Sequence, residues 1–132
     1  MIEKIEHIGV AVKNLDKTLA LYTDVLGLEV TGRIEHGALR GAFVRVGDVK
    51  IELLGSSDPD NPISRHIEKR GEGIHHIAFK VPDVSEEMKA MKGKGIQFID
   101  AEPRPGAHDS MIAFLHPKST DGVLMELVQT KE

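Results

Sequence analysis

The alternation of apolar and polar residues along the chain predicts several short strands and two amphipathic helices. Residues 5–12 place Ile8 and Val10 on one face of a strand and His7 and Gly9 on the other, which is typical of a strand buried on one side. Further strands are predicted near residues 28–33, 38–46, 50–54, 97–101, 110–115 and 122–129. Together with a strand at His76 that matches the one at His7, the strands form two groups of four.

Each group contains one predicted helix after its first strand. The first helix is expected to begin after Asn14, a residue suited to an N-cap, and to end at Gly27. Its apolar stripe is Leu15, Leu19, Tyr22 and Leu26. Asp83 and Glu86 have the spacing of a capping box at the start of the second helix. Between the groups, Pro62 follows a turn-forming stretch and is suited to the first turn of a short connector helix.

The two groups are related by an internal repeat. Four collinear segments match at offsets that drift only across the loops: 7–15 with 76–84 (offset 69), 27–30 with 95–98 (68), 42–43 with 113–114 (71), and 49–53 with 123–127 (74). The prediction is a single α+β domain over residues 1–132 made of two tandem βαβββ modules. Module one covers about 1–57, the connector about 58–72 and module two about 73–132.

Four polar residues occupy matching positions in the repeat. His7 and His76 lie on the first strands, and Glu52 and Glu126 lie in the middle of the last strands between apolar neighbours. Strand parity places all four on the face that the helices leave uncovered, whereas His75 points the other way. A carboxylate in an apolar strand is costly unless it is solvated, paired or bound to a metal. Two histidines and two glutamates are a ligand set for a divalent ion, the alternative being satisfied sheet histidines and solvated glutamates.

The number of ligands favours one kind of chemistry. Four protein ligands leave two positions on an octahedral ion, enough for a substrate that chelates through two oxygens, whereas a three-ligand site for oxygen chemistry leaves three. Such an ion acts as a Lewis acid on an enolate oxygen when a C–H bond beside a carbonyl is deprotonated. The pattern therefore favours proton transfer over ring-cleaving dioxygenation.

Composition and charge limit the partners and the cellular location that we expect for the protein. The 17 Lys and Arg residues and 21 Asp and Glu residues give a net charge of −4, so no nucleic acid or anionic membrane partner is expected. There is no cysteine, which excludes disulfides and thiolate ligands. The first residues lack the pattern of a secretory signal, and no apolar run approaches the length that spans a bilayer. The expected location is cytoplasmic.

Particular stretches resemble a known family. The chain resembles the vicinal oxygen chelate superfamily, and within it the methylmalonyl-CoA epimerases, over nearly its whole length. The His…Glu repeat is shared with glyoxalase I, but the Pro-Gly-Ala-His and His-Pro-Lys-Ser stretches favour the epimerases. The most specific stretches are residues 71–79, 102–108, 114–120 and 122–126.

The resemblance implies a fold, a cofactor and an activity. The fold is an α+β, cup-shaped, eight-stranded mixed sheet, and a divalent ion (Co, Mn, Ni, Zn or Mg) is held by His7, Glu52, His76 and Glu126. The implied enzyme is an isomerase (EC 5.1.99.1) that interconverts (R)- and (S)-methylmalonyl-CoA by α-proton transfer through a metal-stabilised enolate. Its partner is the small-molecule CoA thioester, and a homodimer is the family expectation. The alternatives are a glyoxalase I (lactoylglutathione lyase)-like enzyme and a non-catalytic small-molecule-binding protein of the same fold.

Inversion at carbon needs two acid–base groups. Some relatives have a carboxylate base where this chain has Arg40, and an arginine does not act as a base at neutral pH. Glu126 is the candidate for one base, and the second is Glu52, His36 or a metal-bound water. The further candidates for substrate binding are Lys118, His108 and His36, with Lys118 or Arg104 near the phosphates of coenzyme A and a solvated lysine as the alternative for Lys118.

Overall fold

The fold was obtained as a computed structural model, which describes residues 1–131. The final residue of the predicted second module, Glu132, lies outside this range. The strands are β1 (Lys4–Ala11), β2 (Glu29–His36), β3 (Leu39–Val46), β4 (Val49–Ser56), β5 (Gly73–Lys80), β6 (Arg104–Pro105), β7 (Met111–Leu115) and β8 (Met125–Gln129). The α-helices are α1 (Leu15–Ala20), α2 (Pro62–Arg70) and α3 (Val84–Lys92). None of the helices in the described range is long and apolar enough to cross a membrane.

The chain forms two compact units, the first of which covers residues 7–75. Its strands follow the order β2-β3-β4-β1, in which β1 runs parallel to β4 and the other pairs are antiparallel. Gly9 is paired with Glu52 across the parallel ladder, and Phe43 is paired with Glu52 across the antiparallel one. The connector helix α2 belongs to this unit.

The second unit combines residues 1–6 with the chain from His76 onward. Its strands repeat the same scheme in the order β5-β8-β7-β6, with β5 parallel to β8. The first six residues join it because the Glu3 N–H donates to the Lys80 carbonyl at 2.8 Å and the N-terminal amine pairs with Glu87. The compact units therefore differ at their edges from the repeat modules, although each has the predicted order of strand, helix and three strands.

Helix capping and strand parity follow the sequence prediction. The Asn14 side chain accepts from the Lys17 N–H at the start of α1, and the Asp83 carboxylate accepts from the Glu86 N–H at the start of α3. One apolar cluster joins α1 to the sheet of the first unit: Val12, Leu15, Leu19, Ala42, Val44 and Leu53. The corresponding cluster under α3 is Val81, Val84, Met88, Ala113, Leu115 and Leu127. Because side chains alternate along a strand, Glu52 and Glu126 point away from these clusters.

The connector helix α2 packs on the opposite face of the first unit. The Asn61 side chain accepts from the Ile63 N–H, and Pro62 fills the first turn, as the sequence predicts. Buried Ile63 contacts Ala11 and Leu54. Alternation along β1 and β4 puts those two residues on the face that carries His7 and Glu52, which we call the site face. Helix α2 therefore covers one end of the site face.

The first helix departs from the prediction in its second half. The α-helix ends at Ala20 and continues as a π-helical turn over Leu21–Val25, in which the Leu26 N–H donates to the Leu21 carbonyl. The wider turn rotates the following residues away from the sheet. Leu26, predicted to belong to the apolar stripe, is consequently 55% exposed.

The strand predicted near residues 97–101 does not form. Phe98 makes a single bridge to Leu115, and the regular strand at this edge is the two-residue β6. The carboxylate of Asp100 explains the interruption, because it accepts the Phe114 N–H at 2.7 Å and pairs with Arg104 at 2.8 Å. A side chain thus occupies a position that a backbone carbonyl takes in a continuous ladder.

The loop before β7 holds two non-glycine residues in the left-handed region. His108 has φ 54° and Asp109 has φ 60°, both unfavourable for an L-residue with a Cβ atom. The turn is closed by the Ser110 hydroxyl, which donates to the Ala107 carbonyl at 2.8 Å. Asp109 also makes an exposed ion pair with Lys131 at 3.7 Å, which contributes little to stability in water.

We expect Asp109→Gly to raise the free energy of unfolding by about 0.5–1 kcal/mol, because glycine adopts this φ without steric cost. Chemical denaturation of wild type and variant measures the change. Lys131→Gln controls for the lost ion pair and is expected to change stability by less than about 0.5 kcal/mol. Gly47→Ala, at φ 59°, is expected to shift stability in the opposite direction. A lower stability of Asp109→Gly would contradict the assigned strain.

Candidate active site

The first unit brings together one histidine and one glutamate on its site face. The Nε2 atom of His7 lies 3.6 Å from Oε1 of Glu52, and the two residues are only 5% and 7% exposed. The parallel pairing of β1 with β4 creates this contact, since His7 is two residues before Gly9, the partner of Glu52. The strands on both sides hold the two side chains in place, so the arrangement does not depend on a loop.

The second unit contains the equivalent pair. The Nε2 atom of His76 lies 3.4 Å from Oε1 of Glu126, and each residue is 4% exposed. His76 is two residues before Ala78, which is the register partner of Glu126 across the parallel β5–β8 ladder. The repeat detected in the sequence therefore produces the same local geometry twice.

The separation of the paired atoms fits two ligands of one ion. At 3.4–3.6 Å, imidazole and carboxylate are too far apart for a strong direct hydrogen bond. Two donors each about 2.1 Å from a cation are separated by about 3.0 Å at an octahedral angle and by about 3.4 Å at a tetrahedral angle, so the observed distances lie at the upper end of this range. Imidazole nitrogen with carboxylate oxygen is also a donor set that suits divalent first-row metals. Each pair thus provides two ligand atoms at a suitable spacing.

A phenylalanine ring contacts each imidazole. Phe43 meets His7 edge to face with ring centroids 5.8 Å apart, and Phe114 meets His76 in the same way at 5.5 Å. Both rings are register partners of the glutamates, Phe43 of Glu52 and Phe114 of Glu126. The sequence repeat matched the two phenylalanines without revealing this contact. The available signal was that the two phenylalanines occupy matching positions in the repeat.

Each phenylalanine ring also makes a cation–π contact with a basic side chain. The Lys50 ammonium lies 5.6 Å from the ring of Phe43, and the Arg104 guanidinium lies 5.5 Å from the ring of Phe114. Lys50 is two residues from Glu52 and thus on the site face. A positive side chain therefore contacts the ring beside each histidine, although the charge of Arg104 is shared with the carboxylate of Asp100 at 2.8 Å.

Arg40 is not on the site face. It lies on the α1 side of β3, where its guanidinium is 3.7 Å from the carboxylate of Asp16. The site-face position beside it is Gly41, and a Cβ atom there would lie 2.7 Å from the Leu53 carbonyl oxygen. Neither position can hold a catalytic carboxylate in this chain. In β3, the first unit thus lacks the base that some relatives are assigned.

The other predicted site residues are dispersed over the surface. His36 is exposed at the end of β2, opposite Leu39, which is about 13 Å along the strand from Phe43. Lys118 is exposed on a short 3₁₀ turn, and its N–H donates to Nδ1 of His116. His108 is exposed in the left-handed turn described above. The structure therefore brings together the predicted metal ligands of each unit and leaves His36 apart from Glu52.

The structure separates the two adjacent histidines. The His75 ring packs edge to face against His66 of α2 at 4.9 Å, whereas His76 pairs with Glu126. The predicted ligand His76 thus lies beside Glu126, whereas His75 contacts the connector helix.

Comparison with known proteins identifies the superfamily to which the chain belongs. Residues 6–114 match the family model described as the glyoxalase/bleomycin resistance protein/dioxygenase superfamily, so the chain is a member of that superfamily. It is 38% identical to the uncharacterised protein YqjC of Bacillus subtilis, with 98% of this chain and 94% of YqjC covered. It is also 38% identical to the mitochondrial methylmalonyl-CoA epimerase of Dictyostelium discoideum, with 96% and 78% covered.

Solved structures agree with this assignment. A methylmalonyl-CoA epimerase in complex with methylmalonyl-CoA and NH4+ matches with a TM-score of 0.94 at 34% identity, with 99% of this chain and 96% of that chain covered. The chain belongs to the methylmalonyl-CoA epimerase family. The predicted fold class, an α+β fold with an eight-stranded mixed sheet of the vicinal oxygen chelate type, is confirmed.

We expect Phe43→Leu to release the His7 ring and to lower the free energy of unfolding by about 1 kcal/mol, because an edge-to-face aromatic contact is lost. Side-chain ¹H–¹³C spectra of the histidines measure the ring-current shift. Phe114→Leu is the matched variant and should move the His76 signals while leaving those of His7 in place. Unchanged histidine shifts in both variants would contradict the contacts.

Proposed function

We propose that the protein is an isomerase that interconverts (R)- and (S)-methylmalonyl-CoA by transfer of the α-proton. The observation that carries the proposal is the buried His–Glu pair that occurs once in each unit. Relatives named as methylmalonyl-CoA epimerases, at 34–38% identity over nearly the whole chain, support the choice of substrate. A CoA thioester that carries a carboxylate also suits the positive side chains beside each pair.

We further propose that His7, Glu52, His76 and Glu126 hold one divalent ion, with Co, Mn, Ni, Zn and Mg as the candidates. Two ligands are fewer than such an ion takes from a protein site, whereas the four together would hold an octahedral ion and leave two positions for the oxygens of a chelating substrate. The burial of both carboxylates supports this, since an ionised carboxylate in the interior needs a compensating charge. When bound, the ion supplies electrostatic stabilisation of negative charge that develops beside a carbonyl.

The acid–base steps are assigned to Glu126 and Glu52. One carboxylate removes the proton from C2, the C–H electrons move into the thioester carbonyl to give an enolate, and the other group returns a proton to the opposite side. The placement of Arg40 and Gly41 leaves Glu52 as the carboxylate of the first unit for this role. His36 is disfavoured, because it is exposed and lies far along β2.

Lys118 and His108 are proposed as substrate contacts of the second unit. Both are exposed and lie on loops that flank β7, the strand that carries Phe114. A lysine on a short turn is suited to an anionic group of a substrate, and a histidine in a left-handed turn is held in one orientation.

A glyoxalase I-like activity is the second candidate function. One relative is named as a probable lactoylglutathione lyase of Synechocystis, at 31% identity with 94% of this chain covered. That reaction also moves a proton beside a carbonyl, so the four ligands serve both. The higher identity to the epimerases favours epimerisation.

Incubation of metal-loaded protein with a single methylmalonyl-CoA epimer in deuterated water tests the activity. We expect the opposite epimer to form with deuterium at C2, measured by NMR and chiral analysis. The hemithioacetal of methylglyoxal and glutathione serves as the competing substrate and should not turn over. If none of the five metals supports deuterium uptake or inversion, the epimerase proposal is wrong.

Glutamine variants test the two bases in the same assay. Glu126→Gln and Glu52→Gln should each lower inversion by about 10²–10⁴-fold. Because each variant also loses a metal ligand, it is assayed with excess divalent ion and its metal content is measured. When metal-loaded, each variant should still exchange the C2 proton of one epimer, and the two variants should prefer opposite epimers. Exposed Glu102→Gln is the control and should behave as wild type. Loss of exchange from the same epimer in both variants would contradict the two-base assignment.

Metal binding is tested without turnover. A bound divalent ion should raise the Tm of the wild type, because it binds the folded state more tightly than the unfolded chain. His76→Ala should lose this rise and the bound metal, measured by calorimetry and elemental analysis. His75→Ala, the adjacent histidine that packs on α2, should keep both. Stoichiometric metal in His76→Ala would disprove the ligand assignment.

A further inference from the structure

Helix α2 presents a row of basic residues that the proposed chemistry does not use. Arg65, His66, Lys69 and Arg70 follow one another at the spacing that places them on neighbouring parts of one side of a helix. Ile63 packs on the sheet. Arg65, Lys69 and Arg70 are exposed, whereas His66 is half-buried and Ile63 is buried.

The positive charge of this row is poorly compensated. Arg65 pairs with Asp60 at 3.7 Å, an exposed contact. Within residues 1–131, neither Lys69 nor Arg70 has an acidic partner within 4.0 Å. The whole chain carries a net charge of −4. The nine residues of α2 therefore have a more positive local charge than the chain as a whole. Such a patch attracts anions selectively.

The row also lines a concave surface. A pocket of about 320 Å³ is formed by Pro62 with the four basic residues. The pKa of His66 lies below its ordinary value because of partial burial and the positive charge of Arg70. His75 packs against the His66 ring at 4.9 Å and steadies one wall. The side chains thus form a concave cationic surface of a size that admits phosphate groups.

The location relates this pocket to the proposed reaction. Helix α2 covers the end of the site face beyond Leu54, which is two residues from Glu52 on β4. A ligand whose reactive end lies at the His7–Glu52 pair and whose other end carries phosphates can therefore extend towards α2. Coenzyme A thioesters have this form, with the acyl group at one end and a phosphorylated nucleotide at the other.

We propose that Arg65, His66, Lys69 and Arg70 form a phosphate-binding surface that holds the nucleotide end of the CoA thioester substrate. This inference rests on the proposed epimerase function. Arg65 and Arg70 supply forked donors for phosphate oxygens, and Lys69 supplies a point charge between them. Binding energy at this end lowers the KM for the CoA substrate without acting at the reacting carbon.

Removal of two of the cations tests the surface. Lys69→Gln/Arg70→Gln should weaken binding of adenosine 3′,5′-bisphosphate by at least about tenfold in calorimetry, because charge-assisted hydrogen bonds are lost. It should raise the KM for methylmalonyl-CoA to a similar extent with kcat unchanged, and flatten the salt dependence of KM. Turnover of methylmalonyl-pantetheine, which lacks the phosphates, should not change.

Matched controls separate this inference from the proposed function. Lys89→Gln/Lys94→Gln removes two exposed charges near α3 and should leave bisphosphate binding intact. Unaltered bisphosphate affinity in the α2 variant would overturn the inference, as would a loss produced instead by Lys118→Gln. Equally tight binding of inorganic phosphate at α2 would show a general anion site and overturn it too. Absence of turnover of both thioesters contradicts the epimerase, whereas the bisphosphate titration still decides the phosphate surface.

Discussion

A buried carboxylate next to a buried imidazole is the constraint on which the rest of the structure depends. An ionised glutamate removed from water is unstable unless a positive charge or hydrogen-bond donors compensate it. The chain places Glu52 beside His7 and Glu126 beside His76 by pairing two parallel strands in each unit. Every other feature of the site, the ring contacts and the nearby cations included, is built around these two pairs.

The repeat makes this constraint easier to satisfy. One module of a strand, a helix and three strands places a histidine next to a glutamate. The second module repeats the same pairing of parallel strands and so forms the second His–Glu pair. Phe43 and Phe114 show how closely the solutions agree, since each is the antiparallel partner of the glutamate and the edge-to-face neighbour of the histidine. The units differ outside the His–Glu pairs, where Arg40 of β3 meets Asp16 in one unit and Asp100, in the loop before β6, meets Arg104 in the other. Substrate-specific contacts are expected in such segments, because they vary without disturbing the strands.

Local chemistry decided which sequence predictions held. The helix caps at Asn14 and Asp83 could be predicted from the sequence, because the backbone N–H that each side chain binds lies only three residues away. The prediction of a strand near residues 97–101 was wrong, because the carboxylate of Asp100 accepts the hydrogen bond of the Phe114 N–H, which lies on another strand. The helix ending near Gly27 changed to a π-helical turn, which periodicity at 3.6 residues does not represent.

The sequence by itself determined the repeated order of strands and helices, the faces of the strands, and the presence of one histidine and one glutamate at matching positions of each repeat. Alternation is visible within a single strand, and an internal repeat is visible by comparing the chain with itself. Both patterns can therefore be recognised without knowing which strands are neighbours in the sheet. The tertiary structure alone decided the 3.4–3.6 Å spacing within each His–Glu pair, the turning of Arg40 towards α1, and the packing of α2 on the site face. Register between distant strands sets these contacts, and register follows from the packing of the whole unit rather than from any short stretch of residues.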